Sequence, residues 1–125
     1  EYITYNLCQL PSNNVPKRII ISARRGNELN RVANACNNIN PKIEILVKPL
    51  DITQFSDTEN PENAEFGDKY ISDLMEEISD DIDILVLNSG MIQKCRAEYA
   101  AMDSFKSLAE VNMFGPIGCA QSMIK

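Results

Sequence analysis

The clearest hydrophobic pattern in the chain is an alternation of two periodicities. Leu29, Val32, Ala33 and Cys36 fall at i, i+3, i+4 and i+7, one face of a helix that starts after Gly26 and closes at Asn37, Asn38 and Pro41. On either side of it stand short runs of branched aliphatics, Ile19-Ile20-Ile21 and Ile43-Glu44-Ile45-Leu46-Val47. The first has no polar alternation, which marks a strand covered on both faces, as in parallel sheets. A third run of this kind, Ile82-Asp83-Ile84-Leu85-Val86-Leu87, is stopped by Asn88-Ser89-Gly90 and predicts a third strand.

Helical spacing recurs elsewhere. Ile3, Leu7 and Leu10 predict an opening helix ended by Pro11, and Ile71, Leu74, Met75 and Ile78 predict one before the third strand. From about Asp103 the pattern is helical to the end of the chain, with Phe105, Leu108 and Ala109 on one stripe and Met113, Ile117, Ala120 and Ile124 on another. Pro116 lies inside it and is expected to kink it, having no N–H to donate and crowding the carbonyl four residues back. Residues 54–65 hold four acids, no base and Pro61, and read as a solvated loop. Strands separated by helices of this length require crossover connections and a parallel sheet. The predicted class is therefore α/β, with ligands at the carboxyl ends of the strands.

Composition narrows the function classes. The chain has 125 residues, 44% hydrophobic and 24% charged, within the range of one folded domain. Eighteen acids against twelve bases give a net charge of −6, which argues against a general nucleic-acid or anionic-membrane binder. No apolar run reaches the roughly 18 residues needed to span a bilayer, so no membrane segment is expected. With no histidine and no Cys-x-x-Cys pair among Cys8, Cys36, Cys95 and Cys119, no metal site is expected and His-dependent nucleophilic triads are excluded. The cysteines read as free thiols of a reducing intracellular compartment. Because the chain opens at Glu1 and ends within a helical pattern, it is expected to be an internal piece of a longer protein, truncated at both ends.

The chemistry is sought at the three strand ends. After the first stands Ser22-Ala23-Arg24-Arg25. An acid at this place in a dinucleotide fold accepts a ribose 2′-hydroxyl, whereas an arginine suits a 2′-phosphate through its rigid two-pronged donor set. Two solvated arginines opening a helix would look the same. After the second stands Leu50-Asp51-Ile52-Thr53, where a carboxylate can accept the exocyclic amine of adenine and the next backbone N–H can meet the ring. Aspartate is equally a common turn and N-cap residue. After the third, the small residues Asn88, Ser89 and Gly90 let a backbone approach a ligand closely, or simply end a strand.

Together with Glu110-Val111-Asn112-Met113-Phe114-Gly115-Pro116, these segments resemble the short-chain dehydrogenase/reductase superfamily, over about residues 17–125. The Ser-Ala-Arg-Arg and Asn-Ser-Gly-Met wording is most similar to the member-seven branch of the dehydrogenase/reductase group. The opening helix fits the one that follows the family's glycine-rich loop. The resemblance implies a single partial domain over residues 1–125, an incomplete Rossmann-like parallel sheet lacking its first strand, the glycine-rich loop and the C-terminal catalytic half. It implies an NADP(H)-dependent oxidoreductase, with NADP(H) preferred to NAD(H), acting on a small-molecule carbonyl or alcohol. Arg24, with Arg25 and Ser22, would bind the 2′-phosphate. Asp51 and the Ile52 backbone would hold adenine, and Asn88, Ser89 and Gly90 would line the adenosine ribose and the cofactor groove. Asn112 would match the helix asparagine of the family's Asn-Ser-Tyr-Lys tetrad, whose backbone orders a water in the proton relay. A homo-oligomeric parent, in the cytoplasm or at the endoplasmic reticulum membrane, is also implied.

Three departures qualify this reading. Leu87 stands where the family's Asn-Asn-Ala-Gly has an amide, removing the hydrogen bonds that amide makes. No Thr-Gly-x-x-x-Gly-x-Gly precedes the first strand, and no Tyr-x-x-x-Lys follows Asn112 within the 125 residues. Tyr99 has Asp103 four residues on and does not supply that pair, nor do Lys106 and Lys125. The alternative is a non-catalytic, truncated or degenerate module that binds part of a nucleotide or a partner. A receiver-like signalling domain is disfavoured, because Asp80, Asp81 and Asp83 precede or open a strand rather than follow one.

Overall fold

The computed structural model describes residues 1–53 and 82–123, and the predicted loop at 54–65 and helix around 71–78 lie outside them. The chain divides into two compact units, Glu1–Asp51 and Ile52–Lys125.

In the first unit the predicted order holds: α1 (Tyr2–Cys8), β1 (Arg18–Ala23), α2 (Gly26–Ile39) and β2 (Glu44–Pro49). The two strands pair in parallel from Arg18↔Glu44 to Ala23↔Pro49, as the crossover through α2 requires. Two further backbone bonds, Glu44 N–H to the Lys17 carbonyl at 3.0 Å and Leu50 N–H to the Ala23 carbonyl at 3.1 Å, carry the ladder past both ends. The stripe Leu29, Val32, Ala33 and Cys36 is buried on Ile21 and Ile43, with Ile19, Ile45 and Val47 packed against that core. This is the α/β crossover unit of an incomplete Rossmann-like sheet.

The opening helix forms, but it buries a different face from the expected one. Thr4 and Cys8 are its buried residues, whereas Ile3 is 41% and Leu10 38% exposed. Small side chains allow α1 close to α2, and Cys8 enters the core beside Cys36. The rim is fixed by Arg31, which binds Glu1 Oε1 at 2.9 Å and Glu28 Oε2 at 3.0 Å, while Tyr5 Oη donates to the same Glu1 oxygen at 3.3 Å. The hydrogen bond from Arg31 holds the Glu1 carboxyl below its usual range.

The second unit corrects a prediction. Residues 82–88 are not a strand, and the sheet of the described residues has two strands rather than three. Ile84 is 79% and Val86 53% exposed, with Leu85 and Leu87 also open to solvent. A strand exists only through its ladder, and no described segment supplies one to this run.

A short 3₁₀ turn (Ala97–Tyr99) leads into α3 (Met102–Ala109), a π turn (Glu110–Phe114) and α4 (Gly115–Met123). The chain stays helical through Pro116, and a π turn directly precedes the proline. The Gly115 N–H reaches back five residues to the Glu110 carbonyl. One wide turn shifts the register just before Pro116 and moves its ring into the opening turn of α4, where proline is tolerated. Among the described residues, no helix is long and apolar enough to cross a membrane.

Candidate functional site

The carboxyl edge of the β1–β2 pair carries one half of the predicted site. Because Ala23 and Pro49 are register partners and Leu50 bonds back to Ala23, both strands end level. Ser22, Arg24, Arg25 and Asp51 therefore leave the sheet at one edge. Ser22, Arg24 and Arg25 are exposed. Arg25 is the N-cap of α2, and its carbonyl accepts the Leu29 N–H at 3.1 Å without any side-chain cap on the helix. Neither Arg24 nor Arg25 forms an ion pair among the described residues, in contrast to Arg18 and Arg31, which are paired with Glu44 and with Glu1 and Glu28. Two unpaired guanidinium groups beside an uncapped helix N-terminus make an anion-attracting edge. Asp51 is half-buried and already engaged in interactions of its own.

The other predicted residues lie in the second unit, and there the structure joins two of the predicted segments. Asn112 Oδ1 accepts the Met91 N–H at 2.7 Å, and Asn112 Nδ2 donates to the Met91 carbonyl at 2.8 Å. One side-chain amide thus satisfies both backbone groups of a single residue, as a neighbouring strand would. Gly90 lies alongside, with its missing side chain facing Asn112 Oδ1 at 3.6 Å. Asn88, Ser89 and Gly90 are exposed. Asn112 occupies the middle of the π turn, and Pro116, four residues on, has no N–H to offer its carbonyl. The side chain is committed to Met91, so any part that Asn112 plays toward a ligand falls to its backbone.

Beside the clamp, Met91, Lys94, Asp103, Ser104 and Ser107 line a shallow, solvent-facing groove. Lys106 binds Asp103 at 3.4 Å. Tyr99 is exposed under the Arg96 guanidinium, whose carbon is 5.7 Å from the ring centre. It is held by a surface cation, not by a lysine at catalytic spacing. Sequence reasoning missed the Asn112–Met91 clamp, since the partners are 21 residues apart and one of them contributes only backbone. It also missed Gly115, for which a glycine within a helical pattern was the available signal.

Comparison with known proteins places these features in context. Residues 12–125 match the short chain dehydrogenase family. The chain is 32% identical over 130 positions, 99% of its length, to the human protein Dehydrogenase/reductase SDR family member 7. It is 34% identical over 112 positions, 85% of its length, to the mouse protein of that name. It spans about a third of these relatives, 33% of the human and 29% of the mouse protein. Among solved structures, an alcohol dehydrogenase from the archaeon Thermococcus sibiricus, complexed with 5-hydroxy-NADP, shares the fold. The TM-score is 0.65 at 20% identity, over 84% of this chain and 40% of that one.

Proposed function

Because the chain belongs to the short chain dehydrogenase family, we propose that it is a segment of an NADP(H)-dependent oxidoreductase acting on a small-molecule carbonyl or alcohol. The observation that carries the cofactor choice is the β1 edge, where Arg24 and Arg25 stand exposed, without an ion pair among the described residues, at the place where an NAD-selective site needs an acid. The donor set fits the group. A guanidinium offers a 2′-phosphate two parallel charged hydrogen bonds, and Ser22 on the same edge adds a hydroxyl. Asp51 and the Ile52 N–H hold adenine, and Asn88, Ser89 and Gly90 line the adenosine ribose and the floor of the groove. Asn112, its amide locked onto Met91, keeps that segment in place and orders a water through its backbone carbonyl. When bound, the nicotinamide ring supplies or accepts the hydride.

The test is cofactor discrimination in the full-length oxidoreductase. Arg24→Ala should weaken NADP(H) by about 1.5–3 kcal/mol, roughly ten- to a hundredfold in Kd, since one charge-assisted contact is lost. NAD(H), which has no 2′-phosphate, should be nearly unaffected. Calorimetric titration of both cofactors against both proteins decides it. Equal losses, or none, would remove Arg24 from the site.

A further inference from the structure

Gly115 is a buried residue at the first position of α4. Its backbone, with φ −58° and ψ −53°, is ordinary right-handed helix. Nothing in that conformation calls for glycine, and inside a helix glycine is a worse choice than alanine. The requirement is one of space. A Cβ at position 115 would meet the Ile52 carbonyl oxygen at 2.8 Å, Ile52 Cδ1 at 2.9 Å and Ile52 Cβ at 3.0 Å. The oxygen and Cβ are fixed to the Ile52 backbone and cannot rotate away. Only displacement of one element would make room.

The two elements differ in how readily they yield. Gly115 is held between the π turn, through its N–H bond to the Glu110 carbonyl, and Pro116, whose ring fixes the next φ. Ile52 lies in a turn, with no regular ladder or helix to resist a shift. We infer that Gly115 is a positioning residue for adenine recognition: its bare backbone seats the Ile52 peptide, and a side chain there would push aside the N–H that meets the adenine ring. The inference rests on the proposed role of Ile52 in holding adenine, and it adds a determinant 63 residues away in the chain.

The experiment uses the full-length oxidoreductase, with 2′,5′-ADP as the adenine-bearing probe and steady-state kinetics with NADPH. Gly115→Ala should raise the Kd of 2′,5′-ADP and the KM for NADPH about tenfold while kcat stays within about twofold, a split that a general loss of structure would not produce. Asp51→Ala is run in parallel to separate the two ideas. If Asp51→Ala weakens 2′,5′-ADP and a folded Gly115→Ala protein does not, the positioning role is overturned and the adenine reading stands. If Asp51→Ala has no effect, the adenine reading falls and takes the inference with it. A fall in kcat equal to the rise in KM would also overturn the positioning role. Should Gly115→Ala fail to fold, the double variant Gly115→Ala/Ile52→Gly, which removes two of the three blocking atoms, is compared with Ile52→Gly alone. Weaker 2′,5′-ADP binding by the double variant supports the proposal, and equal binding overturns it.

Discussion

Two aliphatic runs in this chain look alike and end differently. Ile19-Ile20-Ile21 lies in β1, paired along its length with β2 and covered by α2. The run 82–87 has the same branched-aliphatic character, yet it forms no strand and exposes Ile84, Leu85, Val86 and Leu87. Side-chain pattern is therefore only half of a strand. It says which residues gain by burial, while the ladder partner must come from elsewhere in the chain. The units also differ in what they bury. Among the described residues the first packs side chains such as Leu29, Val32 and Cys36, whereas in the second α4 buries Gly115 and Gly118, and Met113 and Phe114 of the π turn and Ile117 of α4 are open to solvent.

The largest expected effect tests that contrast directly. Leu29→Ala removes a side chain that is 7% exposed in the α2 core, and should destabilise the first unit by about 2–5 kcal/mol. Val86→Ala in the same 125-residue chain should change stability by no more than about 0.5 kcal/mol, because its side chain leaves no filled core. Urea unfolding followed by circular dichroism, with hydrogen exchange to assign each loss to its unit, measures both. A Val86→Ala cost comparable to that of Leu29→Ala would show that the run 82–87 is packed after all.

A smaller effect sharpens the comparison within the second unit. There a side-chain amide does for Met91 what β2 does for β1. Asn112→Ala frees the Met91 N–H and carbonyl, and should cost about 1–2 kcal/mol, two hydrogen bonds at roughly 0.5–1.5 kcal/mol each with some recovered by solvent. The Met91 amide should exchange much faster, while amides of β1 and β2 keep their protection. Asn112→Asp is the stricter probe. It keeps the acceptor for the Met91 N–H but sets a carboxylate oxygen against the Met91 carbonyl, so it should be no better than alanine. Unchanged exchange at Met91 in either variant would show that the clamp is not what holds this segment.

The same contrast explains what could be read from the sequence. The β1–α2–β2 unit was legible because a helix stripe and two flanking runs constrain one another, and the strand ends then located Arg24, Arg25 and Asp51 by topology alone. The face of α1 was not. Apolarity favours Ile3, Leu7 and Leu10, but close helix packing is decided by size, and Thr4 and Cys8 are the small residues that fit. The third strand was misread because periodicity describes faces and is silent about partners. Asn112 was found through family resemblance, but its geometry was not, since pairing with a backbone leaves no complementary residue to see. The π turn is a local answer to Pro116, and the sequence signalled the problem without the solution.

The smallest effect at neutral pH concerns the cysteines, and it reports whether the interior of the first unit is sealed. Cys36 is fully buried and Cys8 nearly so, whereas Cys95 is exposed. Removal from water, with the Cys8 thiol beside it as the second cause, pushes the Cys36 thiol up to about 11 from an ordinary 9.0. The sign follows from which state ionises first. Below about 9 the thiol is protonated in both the folded and unfolded chain, and stability is independent of pH through this group. Above it the unfolded chain ionises while the folded one resists, so stability falls as pH rises through about 11. Unfolding midpoints should therefore be flat in this respect from pH 7 to 8 and drop between 9 and 11, and Cys36→Ala should remove most of that alkaline slope. Only the thiolate reacts with iodoacetamide, so at pH 7.5 Cys95 should be modified in the folded chain while Cys36 is spared until urea opens the first unit. Modification of Cys36 at the rate of Cys95 would mean that α1 does not stay docked on α2, and the packing of the first unit would fail at its best-sealed point.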